Sequence, residues 1–213
     1  LGVSNAWALL PIQHWTQASG AQVWLVESPS IPMVDVQVAF DAGSRRDPVD
    51  KSGLATAVAL MASKGVKADG KAAALDENRL GEAWADLGAS FGAGAGQDSF
   101  SYSLRSLTVP DLLNRSVDLA SRQMAQPSWP QEVWQRERAR WSAAIQESST
   151  RPGTVAGRAF GKLVYSGHPY GMRTTEQTLA HIQLGDMQAL HARSFQACRA
   201  KVSVVGAVNR GQA

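Results

Sequence analysis

Apolar and polar residues alternate strictly from Met33 to Phe40, so that Val34, Val36, Val38 and Phe40 share one side of an extended chain. The same period of two runs through "IQHWTQASGAQVWLVES", where Ser19-Gly20 marks a turn. This predicts a hairpin whose second arm has Val23 and Leu25 on one side and Trp24 and Val26 on the other. Three strands therefore open the chain. After the charged, turn-rich "SRRDPVDKSG" the period changes to that of a helix: Leu54, Val58 and Met61 recur on one face, Asp50 or Ser52 is placed to cap the start, and Gly65 to stop the run. "GVKADGKAAA" reads as a loop, and a second helix carries Leu80, Trp84 and Leu87 up to Gly88.

"ASFGAGAGQDSFSYSLRSL" predicts two further strands, the second alternating Phe100, Tyr102 and Leu104. Pro110 suits the first turn of a helix whose apolar face is Leu113, Val117, Ala120 and Met124. "QPSWP" breaks it. A longer helix follows from about 131 to 147 with Trp134, Trp141 and Ile145 inward, then helices near 153–165 and 175–195, and "AKVSVVGAV" closes as a strand. Strands come in runs with helices grouped between them, which predicts an α+β fold: a mostly antiparallel sheet packed by helices on one face.

Composition changes this picture little. A chain of 213 residues with 44% hydrophobic content is large enough for a single domain with a substantial core, and no repeat or long linker divides it. The formal charge is +3, with 21 basic and 18 acidic residues interspersed, so no basic stripe points to nucleic acid. No run of 18 apolar residues predicts a membrane span. The first ten residues, "LGVSNAWALL", lack the basic start of a secretory signal. Cys198 is the single cysteine, which excludes an internal disulfide and reads as a small buried hydrophobe.

Most catalytic constellations are missing. There is no G-x-S-x-G elbow. His14, His168, His181 and His191 do not have the spacing of three or four that would set two ligands on one helical face. "GAGAG" at 92–96 leads into another strand rather than a helix N-terminus, which argues against a phosphate loop. In "WQRERARW" at 134–141 the tryptophans share a core face while Arg136, Arg138 and Arg140 can lie toward water or flank it.

The order and spacing of several segments resemble a known family. "AGSRRDPVDKSGLA" before a helix, "KG" at Lys64-Gly65, "GHPYG" at 167–171 and the terminal "VSVVG" are similar to one homologous half of the pitrilysin/insulinase-type metallopeptidases, over about residues 11–206. The resemblance implies a LuxS/metallopeptidase-like domain used in pairs to enclose a peptide chamber. Active halves carry H-x-x-E-H in the helix after G-L-A, where two histidines one turn apart bind zinc and the glutamate polarises water. Laid on this chain, the histidines fall on Thr56 and Leu60 and the glutamate on Ala59. A methyl and an isobutyl group offer no lone pair, and one threonine hydroxyl is a weak zinc ligand. The family's third ligand, a glutamate on a later helix, falls on Ala144 by one count and within Gln135 to Glu137 by another.

The resemblance therefore implies an inactive homologue with no catalytic residue, metal or other cofactor. It would be the N-terminal half of a longer two-domain chain, acting as the non-catalytic half or subunit of a two-component zinc peptidase. The implied partner is a catalytic subunit with an intact motif, forming a heterodimer, or a second homologous domain. A bacterial periplasmic or cell-envelope location and a peptide substrate are implied with it. If peptide binding survives, the strand pair from Phe91 to Leu107, with Phe91, Phe100 and Tyr102, is the expected surface, because an extended chain adds to a sheet edge through its main chain. Two alternatives stand beside this: a scaffold module with no role in proteolysis, and an autonomous enzyme using Cys198 or a dispersed carboxylate pair.

Overall fold

The computed structural model describes residues 11–70 and 72–213, so the opening decapeptide lies outside the described residues. The hairpin forms as its turn signal predicts: β1 (Gln13–Thr16) pairs antiparallel with β2 (Gln22–Glu27). β3 (Met33–Phe40) does not extend that hairpin. The last strand, β8 (Lys201–Gly206), inserts between them, parallel to β2 and antiparallel to β3. With β6 (Ser90–Ala95) and β7 (Phe100–Leu107) the sheet has the order β1-β2-β8-β3-β7-β6, and four of its five pairings are antiparallel. A small ribbon, β4 (Gly65–Val66) with β5 (Leu75–Asp76), lies apart from it.

Alternation sorts the two faces of the sheet. Val23, Leu25, Val34, Phe40, Phe100, Tyr102, Leu104 and Val204 are buried beneath helices. The opposite face is the more exposed one, mixing Trp24, Val26 and Val205 with polar residues, and there Arg105 makes a bidentate pair with Asp35, its cross-strand neighbour (2.7 and 2.9 Å). The α+β fold with helices on one face is thus the observed one.

The helices are α1 (Leu54–Met61), α2 (Glu77–Asp86), α3 (Pro110–Ala125), α4 (Gln131–Ser149), α5 (Pro152–Val164), α6 (Glu176–His181) and α7 (Leu184–Ser194). α1 and α7 pack on the aromatic cluster of Phe40, Phe100 and Tyr102, while α2 and α3 cover Leu104. Gly88, at φ +57°, ends α2 as expected.

Several expectations are corrected. α1 stops at Met61, four residues before Gly65, which instead opens β4. The segment 175–195 is two helices, because Ile182 is extended and buried between them. α3 is turned relative to its apolar stripe: Ser116, Ala120 and Gln123 are buried, and Val117 is exposed. Cys198 is exposed, in a short 3-10 turn ahead of β8.

Candidate functional site

α1 begins without a side-chain cap from either expected residue. Gly53 occupies the N-cap at φ +106°, a conformation that suits glycine, and a Cβ there would sit 2.6 Å from the Thr174 hydroxyl. The free amides of the first turn go instead to Asp47, whose buried carboxylate accepts from Gly53 (2.9 Å) and Ala55 (3.0 Å). Burial pushes the Asp47 carboxyl up against the opposing pull of these amides.

From that start α1 buries Leu54, Ala55, Ala57, Val58 and Met61. The other face carries Thr56, which is exposed, with Ala59 and Leu60, which are half-buried. Thr56 and Leu60 lie one turn apart on the same side, the spacing that would let two ligands share an ion. Beside α1 lies β6, the sheet's edge strand.

Just past the helix, Lys64 turns back into a cluster of charges. Its ammonium meets Glu77 in the first turn of α2 at 2.5 Å and Glu137 in α4 at 3.6 Å. Arg136 bridges the same two carboxylates (2.7 and 3.0 Å), and Arg140 approaches Glu137 at 3.3 Å. Lys64 and Glu137 are 13% and 9% exposed, so the centre of the cluster is shielded from solvent. The Lys64 hydrogen bond, together with Arg136, holds the Glu77 carboxyl below its ordinary value, and Glu77 in turn raises the Arg136 guanidinium. Of the positions to which counting assigned the third ligand, Glu137 is buried within this cluster, whereas Gln135 and Ala144 are exposed.

The expected peptide surface divides. Phe100 and Tyr102 point into the core, and Phe91 is stacked between Trp84 and Tyr102, so none of the three rings faces an incoming chain. The strand pair instead offers the unpaired main-chain edge of β6, where Gly94 has open space around it. The four histidines remain apart: His14 stacks on Trp24, His168 accepts from the Tyr170 amide, and His181 and His191 contact the carbonyls of Asp50 and Met124. Lys64 enters the sequence reading only within the "KG" segment of the family resemblance, with no role assigned, and Glu77 is not singled out. The lysine stands four residues beyond Leu60, just past the end of α1.

The sequence model of the insulinase family, peptidase family M16, matches residues 22–178. The chain belongs to that family. No curated protein matches it. Among solved structures, the peptidase M16 inactive domain from Pseudomonas fluorescens is 29% identical with a TM-score of 0.86, over 95% of this chain and 48% of that one. A protease from Helicobacter pylori is 22% identical at TM-score 0.79 over the same shares, and the periplasmic protease PqqL from Escherichia coli is 15% identical at 0.77, over 94% and 22%. The chain thus spans about half or less of these structures.

Zinc is the metal that M16 membership implies, and the residues present do not fit it. The Thr56 hydroxyl is the one donor among the three side chains of that α1 face, and the Glu137 carboxylate is already met by three cations. Among the described residues, no three His, Cys, Asp or Glu side chains gather as a metal-binding group.

Proposed function

We propose that this chain is a non-catalytic half of an M16 zinc peptidase, and that it completes the wall of a peptide chamber with a partner bearing an intact H-x-x-E-H. The observation that carries this reading is the composition of the α1 face. Thr56, Ala59 and Leu60 stand where the family's ligands and base would stand, on a helix whose frame of Gly53, Leu54 and Ala55 is kept. Retention of the fold with loss of the donors favours a role in shape and contact. The Pseudomonas fluorescens relative, itself an inactive domain, supports it.

The partner is a catalytic M16 subunit or a second homologous domain, consistent with relatives about twice as long. Within the pair, an extended peptide adds to β6 beside α1. We place the protein in the periplasm or cell envelope of a bacterium, the compartment of PqqL; no helix among the described residues is long and apolar enough to cross a membrane.

The test is reconstitution. The purified chain is mixed with an M16 subunit carrying the intact motif, and peptide cleavage is followed. The chain alone is expected to hydrolyse nothing, and the mixture to exceed the partner alone. Tight association without any effect on cleavage would transfer the chain to the scaffold reading. Chelator-sensitive hydrolysis by this chain alone would end the proposal. For the peptide edge, amide exchange of residues 90–95 should slow when peptide is added to the pair, and unchanged exchange removes that assignment.

A further inference from the structure

We propose that the groove between α4 and α5 is a second peptide-contact site, one that takes an extended segment in which acidic side chains alternate with apolar ones. The occupant rests on the reading of this chain as a wall of the peptide chamber; the preference for acid rests on the groove itself. Its floor is apolar: Trp141 and Ile145 stand one and two turns beyond Glu137 on α4, and Met172 adds to them. The groove is open to solvent, and its volume of about 1260 Å3 exceeds the roughly 300–1,000 Å3 of a small-molecule pocket. Both features suit a length of chain.

The charge of the groove is one-sided. Arg158 and Lys162 line it from successive turns of α5, and Arg173 lines it from the segment after the Pro169–Gly171 turn. Elsewhere Arg45, Arg105, Arg136 and Arg151 close on carboxylates, whereas none of these three has an acidic partner within ion-pair distance among the described residues. Arg173 is nonetheless fixed: it donates to the Gly157 carbonyl (2.7 Å), and a Cβ at Gly161 would collide with its guanidinium. The one carboxylate of the lining, Glu176, is held toward α4, where it accepts from Gln146 (2.6 Å) and Ser142 (3.4 Å). Three unpaired cations against one carboxylate attract an anionic ligand. Helix positions four apart have Cβ atoms about 5–6 Å apart, and alternate side chains of an extended chain are roughly 6.4–6.8 Å apart. Two acids flanking one apolar residue therefore match Arg158 and Lys162, with the middle side chain turned the other way, toward the α4 floor.

The experiment follows the fluorescence anisotropy of a labelled peptide alternating glutamate with leucine as the chain is titrated in, alone and paired with a motif-bearing M16 subunit. Glutamine in place of glutamate is expected to weaken binding by about tenfold or more, since each exposed ion pair contributes modestly and three act together. Raised salt should act in the same direction. Serine in place of leucine should also weaken binding, and equal affinity for that peptide would reduce the groove to a charged surface and overturn the proposal. Arg158→Gln combined with Lys162→Gln should reproduce the loss while melting with the unmodified chain. Full binding by that variant, or equal binding of the glutamate and glutamine peptides by the unmodified chain, refutes the site. So would binding of anionic phospholipid vesicles or a single-stranded oligonucleotide where the acidic peptide does not bind. Failure of the chamber reading looks different: the acidic peptide binds in the groove, yet the partner cleaves it no faster with this chain than without it.

Discussion

Two buried polar residues hold the ends of α1, and neither stands out in an apolar pattern. At its start, Asp47 and Gly53 share the task that Asp50 or Ser52 was expected to perform. The reason is geometric: a glycine at φ +106° turns the chain so that a carboxylate six residues earlier faces the free amides. Gly53→Ala is expected to cost about 1–3 kcal/mol from the left-handed backbone alone, before any displacement of Thr174, and a thermal melt reads it. At the other end, Gln123 accepts from the Trp84 indole and donates to the Ala62 carbonyl, both at 2.9 Å. Gln123→Leu leaves those two buried groups without partners and should lower stability by about 1–3 kcal/mol. In a chain of this size each kcal/mol is about 2–4 °C of melting temperature. A variant that melts with the unmodified protein would show that water replaces the amide. Periodicity chose Val117 over Gln123 for the inward face of α3 because it weighs apolarity alone. It cannot register that Trp84 and the end of α1 each need a hydrogen-bond partner.

The secondary elements themselves were largely legible. Period two gave β1, β2, β3 and β7, the closing apolar run was read as the strand β8, and glycine and proline punctuation bounded α2 and α3. What joins the elements was not, because ion pairs between distant segments leave no local periodicity. Glu77 shows this: it lies in the first turn of α2, yet its partners come from the turn after α1 and from α4. Its pH dependence follows from the sign of its shift. The folded carboxyl ionises below its ordinary 4.5, so the unfolded chain takes up the proton first as pH falls. The stabilisation is therefore complete above that value and is lost as pH drops through the folded pKa. Glu77→Gln should melt below the unmodified chain near neutrality and converge with it in acid. A gap that stays constant from neutral pH down to about pH 3 would mean that the pair contributes packing rather than charge.

On the scale of the whole molecule, the order of the strands and the facing of α5 are what the pattern could not supply. Hairpin logic sets β3 beside β2, but β8 returns from the far end of the chain and takes that place, a long-range pairing that no local signal encodes. α5 was expected as a helix with no face assigned, and its facing is the reverse of the usual one. Thr154, Arg158 and Gly161 turn toward the body, over a groove of about 1260 Å3 shared with Trp141 and Ile145 of α4. Phe160 and Leu163 are 66% and 81% exposed, and Val155 and Val164 also face water. A helix of thirteen residues with three glycines is weak by itself, each glycine costing about 1 kcal/mol against alanine, so an uncovered apolar face gives it no reason to persist. If the chain pairs as proposed, that face is the expected docking surface for the homologous half. Phe160→Glu and Leu163→Glu should leave the melting of the isolated chain nearly unchanged, because exposed positions typically shift stability by only about 0.5 kcal/mol. The same substitutions should weaken association with a motif-bearing M16 subunit by about tenfold or more, as charged replacements of anchors at the centre of an interface do. Calorimetric titration of each variant against that subunit separates the cases. Unchanged affinity would move the docking surface elsewhere, and a large loss of stability in the isolated chain would show that α5 is already packed within this half.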